Sequence, residues 1–239
     1  ALRSIERACQ LSPREARYLV GWGDILQRQG RFDLASERFE GALRLKPANA
    51  EALIGLARCT RELYRYDLAV DYYQKAVAAS GSKVQPQVEL AMLFLQLGDP
   101  KQAIDTLNTA LSRASEDVEI TLALARAYQQ INDLGNALRA YSRAVQLDPR
   151  NPEAFFQLGQ LQLRMNQLEQ AGTSFRYGWD MAKADPRFPL ALSSCMQRAG
   201  RLDEASRVLI EAGPLFPHNF ELQSQLGFMY LHRNSLEEA

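Results

Sequence analysis

The chain has little of what reactive chemistry needs. Among 239 residues there are 3 cysteines and 2 histidines, too few for most metal frameworks. The 14 glycines form no phosphate-cradling run. Charge of one sign is also lacking, since 28 Lys and Arg face 28 Asp and Glu. That balance excludes the overall basic character of a protein that coats nucleic acid. No apolar run approaches the roughly 18 residues that span a bilayer. Ala1-Leu2-Arg3-Ser4 is not a charged-then-apolar leader, so no targeting signal is expected. What remains, 46% apolar and 23% charged residues, is the composition of a folded protein.

The informative content is periodic. Ala1, Ala35, Ala69, Ala103, Ala137, Ala171, Ala205 and Ala239 recur every 34 residues. Four residues after them stand large apolar side chains: Ile5, Phe39, Tyr73, Leu107, Tyr141, Phe175 and Leu209. Three further on stand small residues, Ala8, Ala42, Ala76, Ala110, Ala144, Gly178 and Ala212. Apolar residues at i, i+3, i+4 and i+7 mark one buried stripe per helix. Gly30, Tyr64, Gly98, Asn132, Asn166, Gly200 and Asn234 share one place in the period, where glycine and asparagine suit a left-handed helix stop. Asn49, Asp117, Asn151, Asp185 and Asn219 share another, suited to capping the next helix. Each period therefore reads as helix, turn, helix.

Phe155-x-x-Leu158-Gly159, then Ala171-x3-Phe175, and Leu124-Ala125-x-x-Tyr128, then Ala137-x3-Tyr141-x2-Ala144, then Pro149, resemble the tetratricopeptide repeat. The resemblance covers the whole chain. It implies an all-α, right-handed superhelical solenoid of fourteen helices without strands. With the key alanine at position 20, full repeats run 16–49, 50–83, 84–117, 118–151, 152–185 and 186–219, flanked by half repeats 1–15 and 220–239. One solenoid segment of a longer array is the expected organisation. Ending mid-unit would leave Leu226, Met229 and Tyr230 bare, with self-association through the ends.

Two stretches depart from the pattern. Ser80-Gly81-Ser82-Lys83 replaces the usual proline and cap, and Gln87 replaces a large apolar residue, so local looseness is expected there. Gly172 and Gly178 replace larger or helix-favouring residues beside Trp179, and Pro189 follows early in the next helix, where its missing N–H implies a shifted helix start or a local change of curvature.

Cys9, Cys59 and Cys195 occupy places that are apolar in other repeats and are expected as buried thiols without a disulfide. Neither His218 nor His232 has neighbours at ligand spacing. The acids at helix starts, such as Glu51, Glu119 and Glu153, are favoured there by the helix dipole. No catalysis, metal or cofactor is expected.

The resemblance implies that first helices line a concave face, with contacts from positions 2, 5, 6, 9, 12 and 13. Position 5 reads Val20, Ile54, Val88, Leu122, Phe156 and Leu190, an apolar ladder. It has two readings: partial burial against the adjacent helix, or a groove for an apolar peptide face. Beside it run Arg58, Arg61, Arg126, Gln160 and Arg164, able to grip carboxylates through forked bonds; helix-dipole complementarity explains the same charges more plainly. A lysine/asparagine clamp and an asparagine ladder, features of two other members of the family, are missing. Position 6 reads Gly21, Gly55, Glu89, Ala123, Gln157, Ala191 and Gln225.

The expected function is a non-catalytic scaffold that binds a protein or peptide with apolar anchors and acidic residues, without nucleic acid or membrane insertion. The alternative is the targeting or assembly arm of a larger enzyme, or of a secretion or polysaccharide-export complex, with any catalysis elsewhere.

Overall fold

A computed structural model describes residues 2–81 and 83–237; Ala1, Ser82 and Ala239, three positions used above, lie outside the described residues. Contacts gather into two compact units, Ala1–Ser115 and Glu116–Ala239, where the period alone suggests an unbroken series. The first unit holds α1 (Leu2–Leu11), α2 (Ala16–Arg28), α3 (Phe32–Leu45), α4 (Ala50–Glu62), α5 (Tyr66–Ala79), α6 (Gln85–Gln96) and α7 (Pro100–Leu111). The second holds α8 (Val118–Gln130), α9 (Leu134–Leu147), α10 (Pro152–Arg164), α11 (Leu168–Met181), α12 (Arg187–Arg198), α13 (Leu202–Ala212) and α14 (Phe220–Glu237). A single 3-10 turn, Gly213–Leu215, follows α13. The described residues thus form fourteen α-helices and no strand.

The alanine–large–small triplet explains the packing of every second helix from α3 onward. Ala35, Phe39 and Ala42 have no exposed surface, and the same holds for Ala69, Tyr73 and Ala76 and for Ala137, Tyr141 and Ala144. The small residues let backbones approach, and the large one fills the gap between two first helices. Phe39 shows how tightly. A Cβ added to Gly23 on α2 would meet its ring at 2.6 Å, and one on Gly55 of α4 would come closer still. In α11 the rule shifts. Gly178 stands where other repeats carry alanine because the buried Phe188 ring of α12 occupies that Cβ's space.

The turns follow the sequence. Backbone φ is positive at Gly30, Tyr64, Gly98, Asn132, Asn166 and Gly200. Tyr64, at φ 59°, adopts a conformation that costs a bulky residue about 1–2 kcal/mol. Asn234 departs from this pattern. The helix α14 runs through it to Glu237. Side-chain caps form at Asn49, Asp117 and Asn151, each accepting from the backbone N–H three residues on, and Asn219 accepts from Leu222. Asp185 instead accepts from Arg187 N, because α12 starts at Arg187 behind Pro186. Pro189 is then the third helical residue, where its N–H has no helical partner to lose. The start is shifted as the proline requires.

Near the other irregular stretch, Gly81 takes φ 63° and α6 begins at Gln85 without a side-chain cap. Gln87 is buried all the same. Leu226 and Met229, expected to be bare, pack against the core formed by α11, α12 and α13. Tyr230 is exposed, together with Phe228 and Leu231 on the same helix.

Candidate functional site

In the first unit the expected contact residues are largely consumed by the fold. Val20 and Val88 are buried, at 5% and 4% exposure, and Ile54 is half-buried. These two valines are core residues. Their helix positions face the neighbouring repeat, so the apolar ladder reflects packing there.

Arg58 does form a forked carboxylate bond, but with this chain. Its Nε donates to Glu89 Oε2 at 2.8 Å and its Nη2 to Glu89 Oε1. Tyr73 Oη donates to the same carboxylate at 3.0 Å and Gln85 Nε2 at 3.1 Å. Burial, then the Glu89 charge, pushes the Tyr73 hydroxyl up, which keeps it a donor. Arg61 is bound to Glu62, Nη2 to Oε1 at 2.8 Å. Arg58 and Arg61 therefore already hold carboxylates of this chain. Glu89→Ala would strand the half-buried Arg58 and the fully buried Tyr73. The expected loss is about 1–3 kcal/mol, read as a lower urea midpoint, with Glu89→Gln falling between.

The second unit differs. Leu122 and Phe156 are half-buried. The Phe156 ring packs on Phe175 and edge-on to Phe188, with centroids 5.8 and 5.3 Å apart. The Arg187 guanidinium lies 4.6 Å above it. Arg187 is fixed by Glu153 at 3.0 Å and Asp185 at 2.7 Å, and these partners push its pKa up. Phe156 is therefore half-covered by a pinned cation.

Arg126 is half-buried near the Tyr141 hydroxyl, which itself donates to Gln129 at 3.1 Å. Arg164 is exposed and donates to Asn132 Oδ1 at 2.8 Å, and Gln160 is exposed. Among the described residues, no carboxylate forms an ion pair with Arg126 or Arg164. This face of the second unit keeps guanidiniums whose charge is unanswered.

Sequence reasoning missed Glu89 and Arg187 as organisers. Both had signals. Glu89 alone carries acid at position 6, and Arg187 breaks an acid-rich position 2 one period after Glu153.

Two of the three thiols are buried as expected, and Cys9 is not fully so. Cys59 and Cys195 are buried and Cys9 half-buried, all free. Burial pushes Cys59 up to about 11, and Cys195 Sγ donates to Leu168 O at 3.0 Å. Among the described residues no His, Cys, Asp and Glu group could hold a metal ion, and no helix is long and apolar enough to cross a membrane.

The family described as the cilia and flagella-associated protein 70 C-terminal domain matches residues 8–239. A search of curated proteins found no match. Among solved structures, the chain resembles one from the APC/C hetero-tetramer Cut9–Hcn1, with TM-score 0.69 and 17% identity, covering 94% of this chain. It spans only 45% of that longer chain. The type IV pilus biogenesis factor PilW gives TM-score 0.73 at 19% identity, with coverage of 88% and 98%. YrrB, described as a TPR protein with an unusual peptide-binding site, gives 0.57 at 21%, with coverage of 81% and 98%. Likeness at this identity establishes the fold, an all-α solenoid of tetratricopeptide repeats. With the period, the helix pairs and the family match in agreement, this chain belongs to the cilia and flagella-associated protein 70 C-terminal domain family of tetratricopeptide-repeat proteins.

Proposed function

We propose that the chain is a non-catalytic scaffold that binds a segment of a partner protein on the first-helix face of its second unit. Leu122 and Phe156 offer half-buried apolar surface, while Arg126, Arg164 and Gln160 offer donors. The observation that carries this reading is the contrast in charge pairing: Arg58 and Arg61 are bound to this chain's own carboxylates, and Arg126 and Arg164 are not. A partner with one or two apolar anchors and a nearby acid fits that face.

The alternative, an arm that assembles a larger complex, places the same surface in a different context. The family is that of a cilia- and flagella-associated protein, and PilW is a type IV pilus biogenesis factor. Proteins of ciliary and flagellar assemblies are the first partners to screen.

Affinity capture with the chain, followed by mass spectrometry, supplies the partner, and two substitutions then test the face. Arg126→Ala should weaken binding and flatten its salt dependence, because a charge contact is removed. Phe156→Ala should weaken it, by about 1–2 kcal/mol or more if it is an anchor, with salt dependence unchanged. If both variants fold and bind the partner as tightly as the parent, the face is wrong.

A further inference from the structure

The inter-helix turns of the first unit hold a basic cleft of about 630 Å³. Arg14, Arg17, Lys46 and Lys83 line it, together with Glu15 and Glu51. Arg14 precedes α2, Lys46 follows α3 and Lys83 precedes α6, so successive turns supply the cations. Glu15 lies 3.3 Å from Arg17 and answers its charge. Among the described residues, Arg14, Lys46 and Lys83 form no ion pair. Lys83 also stands where Asn49, Asp117, Asn151, Asp185 and Asn219 stand in other repeats. Four of those five cap the following helix through a side chain, whereas α6 has no side-chain cap. The cap position of α6 falls on Val84, and Pro86, three residues after Lys83, has no N–H to give, so the lysine costs no cap and adds a third unpaired cation to a cleft that already has two.

We propose that this cleft docks an acidic segment of a partner protein, its carboxylates taken by Arg14, Lys46 and Lys83. The chemistry favours a peptide over a nucleic acid or a membrane. Glu15 and Glu51 on the walls oppose a continuous phosphate backbone. No aromatic side chain lines the cleft for base stacking, and a recessed shape suits a strand of chain better than a flat lipid surface. The site is separate from the face of the second unit and stands or falls independently of it.

The probe is fluorescently labelled, end-capped hexaglutamate, titrated at low ionic strength, with backbone amide shifts locating the contact. Hexaglutamate should bind, shift the amides of Ala50 and Glu51, and weaken as salt rises. Lys46→Gln with Lys83→Asn should weaken it about tenfold, two exposed charge contacts being worth roughly that together. Lys101→Gln, outside the cleft, should leave it unchanged. The single change Lys83→Asn should weaken hexaglutamate binding severalfold, one of the three cations being removed. The proposal is overturned if hexaglutamate does not bind, or if the lysine variants bind it as the parent does. Tighter binding of a single-stranded oligonucleotide or a phosphatidylserine vesicle through the same lysines would overturn it equally.

Discussion

Ala137→Glu is expected to lower stability by about 3–5 kcal/mol, the scale of an unpaired charge forced into a core. Ala137 has no exposed surface and packs with Ala125, Tyr141, Leu158 and Leu161. Those neighbours are hydrocarbon apart from the Tyr141 hydroxyl, already engaged with Gln129, so the new carboxylate finds no partner. Helices in such arrays touch only their neighbours, so damage should start locally. Native-state hydrogen exchange should show α8, α9 and α10 losing protection first. Ala137→Ser, similar in size and able to bond its own helix backbone, should cost far less. Equal effects of glutamate and serine would rule out buried charge as the cause.

The second large effect is at Phe39, whose replacement by alanine should cost about 3–5 kcal/mol in lost burial and cavity formation. Its fully buried ring lies against the Cα atoms of Gly23 and Gly55. That contact makes a sharper forecast about the glycines. In the parent, Gly55→Ala should destabilise by about 1–3 kcal/mol through overpacking, despite the better helix propensity of alanine. In the Phe39→Ala background the obstacle is gone, and Gly55→Ala should become neutral or stabilise by up to about 1 kcal/mol. Urea denaturation of the four proteins completes the cycle, and the reversal of sign measures the coupling. If Gly55→Ala has the same effect in both backgrounds, the ring does not set the glycine.

Gly178 shows how much of such packing could be read in advance. Its departure from alanine is visible in the sequence, but its cause is not. The ring that excludes the Cβ belongs to Phe188 on the next helix, and nothing in the spacing says that a side chain at this place points back across the repeat boundary. The Pro189 shift was different: a missing N–H acts on its own helix, so it was local and legible. Asn234 failed for a related reason. The residue permits a left-handed turn but does not compel one, and α14 continues past it.

The contact face divides in the same way. The residue types at each repeat position were fixed by the period, so Arg58, Arg126 and Arg164 could be placed on first helices from sequence. Whether each charge is available depends on its neighbour one repeat away. Glu89 lies 31 residues from Arg58, and among the described residues no acid forms an ion pair with Arg126. The burial of Val20 and Val88 against the half-burial of Ile54, Leu122 and Phe156 is likewise set by which helix lies opposite.

The sequence by itself determined the repeat, the helix pairs, the left-handed turns and the alanine–aromatic core, because those are local or strictly periodic and each is specified by residue size or backbone freedom. Tertiary structure decided which arginines remain unpaired, which ladder residues are core, and where contacts divide into two units. Those properties depend on side chains from different repeats meeting in space, at distances that a 34-residue spacing constrains but does not resolve.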